Sequence, residues 1–301
     1  MLHEPGRAAQ TKSCEWLYRT GRYSEKPIVI YEYTETRKQE HPHAFLASFK
    51  GYLHTDGYQG YHNLPPDIVV VGCWAHVRRY WEKLYETIPE DKRSGSNAER
   101  GLVYTNLVFW LEDEFRDLTP QERYQKRLEF NKPVTDEFFS WVGSLTALPK
   151  SLLGEAVTYS LNQREYLENI YLDGRLECSN NRAERSVKPY VQGRKQWLFS
   201  NTPNGAESSS IIYSIIETAK ENHLHPFHYM KYLLEKLPIT TCNKLEELLP
   251  WSDSLPDSCR VPERAWQPEP KLRKKDKGPL HLALLRLREK FFGNTNPSGT
   301  Q

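Results

Sequence analysis

The chain has 301 residues, which is long enough for one large domain or two smaller ones with a sizeable core. Eight tryptophans, 18 tyrosines and 11 phenylalanines exclude a wholly disordered chain, although 27% of the residues are charged and the mean hydropathy is −0.74. The net charge of +2 excludes a general attraction to nucleic acid or membrane, so any such binding requires a local basic patch.

Cysteine usage and hydropathy indicate the compartment. Five cysteines are scattered along the chain and none forms a Cys-x-x-Cys pair, which argues against a disulfide framework or a zinc knuckle. No apolar stretch approaches the roughly 18 residues of a membrane span, and residues 1–16 lack the hydrophobic core of a signal peptide. We therefore expect a cytoplasmic protein without a membrane partner.

The first 90 residues alternate between strand and helix patterns. Aromatic and β-branched runs over residues 15–19 and 27–33 predict a hairpin. Helical spacing over residues 42–49 is followed by an extended run, 52–55, that ends at Asp56. A buried-type strand over 67–73 and a helix over 74–88 complete the α/β pattern.

The rest of the chain is predicted to be mainly helical. Residues 90–170 carry a helical apolar stripe and a charge of −4, from 14 acidic and ten basic residues. Residues 178–200 reverse the sign, because five cations accompany one acid. Helices are predicted over 206–222 and 226–237, and a basic tail after Pro262 leads to a last helix over 280–292.

Two carboxylates stand at positions where chemistry is conceivable. Asp56 follows a strand and precedes Gly57, so it can project into a cleft, although Asp-Gly is also a common turn signal. Glu184 lies in the first turn of a predicted helix, among cations that could hold phosphate. The alternative there is structural, since Asn181 as N-cap and Glu184 make a capping-box-like pair.

Cys73 and His76 form a further pair where a strand passes into a helix. Two ligands are too few for a zinc site, and a Cys-His nucleophile would need an orienting group and an oxyanion hole that the sequence does not indicate. Packing and local hydrogen bonding are the favoured interpretation, and an unrelated cysteine-histidine hydrolase is a third hypothesis. Nucleotide-binding and G-x-S-x-G motifs are absent from the sequence.

Taken together, these segments resemble the transposases of the insertion-sequence-66 family. The resemblance rests on residues 52–61 (YLHTDGYQGY), 72–79 (GCWAHVRR), 179–185 (SNNRAER), 193–199 (GRKQWLF), 213–220 (YSIIETAK) and 248–251 (LLPW). It covers roughly residues 2–262, so the basic tail lies outside it.

The resemblance implies a ribonuclease-H-like mixed sheet with a helical insertion, and three acids that hold two Mg²⁺ ions for DNA strand cleavage and transfer. Asp56 matches the second acid and Glu184 the third, both as catalytic residues and metal ligands. Cys73, His76 and Asn181 are expected to support the site. The expected DNA contacts are Arg78, Arg79, Arg182, Arg185, Lys188, Arg194 and Lys195.

The sequence departs from the family pattern at the first of the three acids, because no aspartate precedes Asp56. In the family it lies in an Asp-Glu-Thr segment on the first strand, just ahead of the stretch that matches residues 1–6. We therefore expect a chain that is truncated at its N-terminus, lacks the first strand and is inactive. The alternative is a non-catalytic DNA-binding remnant or regulator of an intact transposase. Transposon ends, and a second copy or the intact enzyme, are the expected partners.

The same resemblance predicts a split catalytic domain. Residues 1–76 and 177–240 are expected to form its two parts, with the helical insertion over 77–176 and a C-terminal segment with a basic tail over 241–301.

Overall fold

A computed structural model of the chain describes residues 12–61, 63–197, 200–261 and 279–293. Within these residues the fold is mixed α/β and mostly helical. The strands are β1 (Cys14–Arg19), β2 (Val29–Thr34), β3 (Gly51–His54) and β4 (Ile68–Val71). The helices are α1 (Glu40–Phe45), α2 (Trp74–Thr87), α3 (Glu90–Arg93), α4 (Asn97–Glu114), α5 (Pro120–Lys126), α6 (Lys132–Gly143), α7 (Leu152–Asn162), α8 (Arg164–Glu168), α9 (Asn181–Trp197), α10 (Pro203–Glu221), α11 (Pro226–Lys236) and α12 (Pro279–Phe292).

The chain divides into two compact units. We call residues 1–46 with 181–269 the hairpin unit, and residues 47–180 with 270–301 the helical unit. Among the described residues, none of the helices is long and apolar enough to cross a bilayer. All five cysteines are free thiols in the structure.

The hairpin unit is built on β1 and β2, which pair antiparallel with Leu17 opposite Tyr31. This confirms the predicted hairpin. Helix α10 packs on β2, where Thr218 Oγ1 accepts a 3.0 Å bond from Val29 N–H and donates a 2.9 Å bond to the Val29 carbonyl. Val29 and Tyr31 form a small core with Tyr190 of α9. A second core in this unit joins Ala219 of α10 and Tyr229 and Leu233 of α11 with Leu248 and Leu255.

The helical unit contains the parallel pair β3–β4, with Gly51 opposite Ile68. Its large core is aromatic: Trp74 and Trp81 of α2 pack against Phe138 of α6 at centroid distances of 5.8 and 6.1 Å. Gly101 allows α4 to approach α2 closely, because a Cβ there would lie 2.1 Å from the Trp81 ring. This is the helical block that the sequence predicts between residues 90 and 170.

Two buried arginines tie the end of this helical block to the rest of its unit. Arg127 begins a π-helical turn, Arg127–Asn131, and its Nη2 lies 2.6 Å from a carboxylate oxygen of Glu112. The same guanidinium donates to the carbonyls of Ile170, Asp173 and Leu176. Arg123 donates to the carbonyl of Gly174, 3.3 Å away. Together they fasten residues 170–176, which lie shortly before α9.

Two expectations differ from the structure, and the ribonuclease-H-like mixed sheet stays a prediction. In the described part of the chain β1 pairs with β2 and β3 with β4, as two two-stranded sheets. Helix α1 ends at Phe45 rather than at residue 49, because the chain must turn to enter β3 at Gly51, where φ is +119°. Helix α9 begins at Asn181, so Asn180 and not Asn181 is the residue that flanks it.

Helix α12 confirms the last predicted helix and belongs to the helical unit, where it packs on α4. The cations Lys271, Arg273, Lys274, Lys275 and Lys277 of the predicted basic tail, and Leu198 and Phe199 of one quoted motif, lie outside the described residues.

Candidate functional site

Asp56 lies at the carboxyl end of β3. The last ladder bond joins Thr55 N–H to the Val71 carbonyl at 3.0 Å, and Thr55 is buried. The Asp56 side chain is half-buried, and its Oδ1 accepts a 3.0 Å bond from Tyr58 N–H. Gly57 has φ +81°, which only glycine adopts readily. The carboxylate therefore caps a turn at the end of a rigid strand, as the Asp-Gly signal predicts, and its catalytic role stays a prediction.

Two side chains that the sequence did not indicate enclose this turn. A Cβ on Gly57 would lie 2.9 Å from both Gln163 Oε1 and Tyr159 Oη. Tyr159 donates a 3.2 Å hydrogen bond to the Asp56 carbonyl and stacks on Tyr80 at 4.4 Å. Burial raises the pKa of the Tyr159 phenol, so the phenol stays protonated and remains a donor. Helices α2 and α7 thus fix the backbone of Asp56.

Cys73 lies between β4 and α2 and is 2% exposed. Its Sγ accepts a 3.4 Å hydrogen bond from Asn180 N–H, and the neighbouring Trp74 N–H donates to the Cys178 carbonyl at 3.0 Å. Among the described residues, no group of three or more His, Cys, Asp or Glu side chains is placed to hold a metal ion. These contacts agree with the packing and hydrogen-bonding interpretation of Cys73, and the supporting role of His76 stays a prediction.

The two arginines of α2 differ in their surroundings. Arg78 donates two 2.9 Å bonds to the carboxylate of Glu82 and one 2.6 Å bond to Asn106 Oδ1. Arg79 is exposed. The charge of Arg78 is therefore largely compensated within the helical unit.

Helix α9 presents one buried face and one basic face in the hairpin unit. Ser186, Tyr190 and Gly193 are buried. Arg185, Lys188 and Lys195 are exposed, and their spacing of three and seven residues places them on one opposite face. We call these three residues the basic face of α9. Arg194 is exposed near the end of the helix, and Glu184 is half-buried one turn before Lys188.

Arg182 points instead toward Glu221 of α10, with 3.8 Å between the charged groups. The same Glu221 accepts a 2.7 Å bond from Arg19 of β1, whose side chain is only 7% exposed. Arg19 also donates to Ser186 Oγ at 2.6 Å and to the Arg182 carbonyl at 3.3 Å. Arg19 therefore fastens α9 within the hairpin unit, a role that no sequence motif indicated.

Glu15 of β1 is an acid that the sequence did not single out. Burial raises its pKa to about 7, although hydrogen bonds with Ser210 and Tyr190 act in the opposite direction. One of its carboxyl oxygens, Oε1, is buried without a hydrogen-bond partner. An acid in this setting is half protonated near neutral pH.

Carboxylate oxygens such as those of Asp56 and Glu184 are the donors that Mg²⁺ prefers. Asp56 belongs to the helical unit and Glu184 to the hairpin unit. In the part of each unit that the structure describes, no group of three or more His, Cys, Asp or Glu side chains is placed to hold a metal ion, so neither unit alone provides a complete two-metal site.

Comparison with known families identifies the class of protein. The model described as "Transposase IS66 family" matches residues 1–208, and a second one, "IS66 C-terminal element", matches residues 214–251. The chain therefore belongs to the IS66 transposase family, as the motif resemblance predicts.

Three curated relatives come from Sinorhizobium fredii (strain NBRC 101917 / NGR234). The uncharacterized proteins y4qI, y4hP and y4jD are 29%, 28% and 30% identical over 82%, 75% and 83% of this chain. The aligned parts cover 48%, 44% and 51% of those proteins, so the chain spans about half the length of the curated relatives that it matches. No solved structure gives a significant match.

Proposed function

We propose that this chain is the catalytic part of a DNA transposase, and that by itself it binds DNA without cleaving it. Its β-hairpin and its parallel strand pair belong, in this proposal, to a ribonuclease-H-like domain. Asp56 and Glu184 are two of the carboxylates that bind Mg²⁺. Family membership supports the assignment, as does the position of Asp56 directly beyond the last ladder bond of β3.

The observation that carries DNA binding is the basic face of α9. Arg185, Lys188 and Lys195 are exposed on one side of a helix whose opposite side is buried. Exposed cations in such a row neutralise neighbouring phosphates and release counterions, which favours binding at low salt. Arg194 and Arg79 are further exposed candidates. Arg182 and Arg78 contribute less in this proposal, because Glu221 and Glu82 already lie beside them.

In this proposal the chain is inactive because its set of metal-binding carboxylates is incomplete. Bound Mg²⁺ would supply Lewis-acid activation of the phosphate and of the attacking water or hydroxyl. No aspartate precedes Asp56, and no complete ligand group is found among the described side chains. We therefore assign no catalytic step to this chain alone.

The test measures the affinity for DNA carrying the ends of an insertion sequence across a series of salt concentrations. We expect the triple change of Arg185, Lys188 and Lys195 to alanine to make the slope of log K against log salt concentration less negative by about 2 to 3. A matched control changes the exposed Lys92, Lys150 and Lys244 to alanine, which removes the same charge elsewhere. Equal loss in both variants, or no binding at low salt, would contradict the proposal.

A second arm adds Mg²⁺ or Mn²⁺ and follows strand cleavage and transfer. We expect no product. Robust activity that Asp56→Ala abolishes would refute the inactive state and support a complete enzyme.

The runner-up function is a regulator that occupies transposon ends. Binding that survives Asp56→Ala and Glu184→Ala together, with inhibition of an intact transposase, would favour it.

A further inference from the structure

The four residues before α9 are bound to the ends of the parallel strands in the helical unit. We call residues 177–180 the lead-in segment. The Glu177 carbonyl lies 2.8 Å from His54 Nε2, at the end of β3. The Cys178 carbonyl accepts from Trp74 N–H at 3.0 Å, and Asn180 N–H donates to Cys73 Sγ at 3.4 Å. Parallel strands end at one edge of their sheet, so this edge carries both Asp56 and the lead-in segment.

The chemistry of the contact defines which nitrogen of His54 donates. A carbonyl oxygen only accepts, so Nε2 carries a proton and donates it to the Glu177 carbonyl. Nδ1 is buried without a hydrogen-bond partner.

The hydrogen bond to Glu177 distinguishes His54 from an apolar side chain at this position. A neutral hydrogen bond contributes about 1 kcal/mol, whereas an unsatisfied buried polar atom costs about 1–3 kcal/mol. An apolar side chain at the end of β3 would avoid that cost. What an apolar side chain cannot do is bind the Glu177 carbonyl, and this bond is the direct link between β3 and the lead-in segment.

We propose that His54 is a positioning residue that holds the lead-in segment against the strand ending at Asp56, and thereby limits fraying where the chain enters α9. Glu184 follows Asn180 by four residues, so it lies in the turn that frays first. The functional consequence rests on the proposed role of α9, but the structural claim does not. Trp74 and Cys73 retain their bonds when His54 is changed, so the expected loosening is local.

Hydrogen exchange of the full chain tests this. In His54→Ala we expect exchange to accelerate on the order of fivefold over residues 177–184, as expected for the loss of one bond worth about 1 kcal/mol. The amides of β3 and β4 should be unchanged. His54→Gln should restore slow exchange, because its side-chain amide also donates. His228→Ala, at an exposed histidine, is the control.

Unchanged exchange in His54→Ala would overturn the proposal, as would equal loosening in the alanine and glutamine variants, which would indicate a packing role. If His54→Ala does not fold, His54→Asn also removes the bond, because it is too short to reach the carbonyl. DNA affinity is measured in parallel and should fall in His54→Ala but not in His54→Gln. If the unmodified chain fails to bind DNA, the proposed function fails, and the exchange data still decide the role of His54.

Discussion

Glu15 lies on β1 among groups from three neighbouring elements of the hairpin unit. Tyr190 of α9 and Ser210 of α10 hydrogen-bond its carboxyl, and Glu32 of β2 adds a like charge. Desolvation is the largest influence and raises its pKa to about 7 from an ordinary value of 4.5. The folded state therefore holds this proton more tightly than the unfolded chain does.

The stability from this proton is fully present below pH 4.5 and is lost as the pH rises through about 7. Glu15→Gln mimics the protonated acid. We compare the free energy of unfolding of the variant with that of the unmodified chain. The difference in favour of the variant should be about 2 kcal/mol larger at pH 8.5 than at pH 5. Urea unfolding at both values measures this, with the exposed Glu25→Gln as control. Parallel stability curves for the Glu15 variant and the unmodified chain would contradict the assignment.

At the scale of single elements, the π-helical turn Arg127–Asn131 sets the direction of the buried Arg127 side chain. It directs Arg127 at Glu112 and at three backbone carbonyls, and the arginine side chain is only 1% exposed. π-Helical turns are uncommon and often mark a position with a specific task. Here the task is to hold the chain that leads toward α9.

Arg127→Met should destabilise the helical unit by about 3–5 kcal/mol, because it leaves Glu112 buried without its partner. Chemical denaturation measures the loss. Arg164→Met is the matched control: its partner Glu168 is one turn away and the arginine is half exposed, so the cost should stay below about 1 kcal/mol. Adding Glu112→Leu to Arg127→Met should recover part of the stability. Failure of this double variant to improve on the single one would show that the carbonyl contacts dominate.

For the whole molecule, α12 shows that a segment outside both family matches completes a core. Its side chains Leu280, Leu284, Leu287 and Phe291 recur at helical spacing and pack against the aromatic core of the helical unit. Lys290 approaches Glu137, and Arg288 lies 4.9 Å from the centre of the Trp110 ring.

A chain that ends at residue 278 should therefore lose on the order of 3–5 kcal/mol of stability, from the apolar area that α12 covers. Thermal unfolding and hydrogen exchange of α4 measure this. The control ends at residue 293 and retains α12. If both truncated chains unfold like the full one, α12 contributes nothing to this core.

Local patterns in the sequence predict most elements, and the structure confirms the hairpin, β3, β4, α2 and the helices from α10 to α12. Each depends on periodicity within a few turns. Periodicity does not predict which side chains contact groups that are distant in the sequence. Arg19, Arg127 and Tyr159 look like ordinary strand or helix residues, yet their partners lie 202, 49 and 103 residues away. The motifs located Asp56 and Glu184, and their catalytic roles stay predictions.

The division into units also depends on such distant contacts. The helical unit is continuous from residue 47 to 180, whereas the hairpin unit combines residues 1–46 with 181–269. The domain boundaries predicted from the family pattern, at 76, 176 and 240, follow motif positions instead and stay predictions.

The bond between Val29 and Thr218 has a consequence for synthesis on the ribosome. These residues are 189 positions apart, and at roughly 5–20 residues per second the interval between them lasts about 10–40 s. During that time β1 and β2 have emerged but α10 has not, so the apolar side of the hairpin is without its covering helix. The nascent chain can complete β3 through α8 in this interval. Translation order therefore leaves the hairpin of β1 and β2 synthesised well before its covering helix, and its exposure to chaperones is longest when elongation is slow.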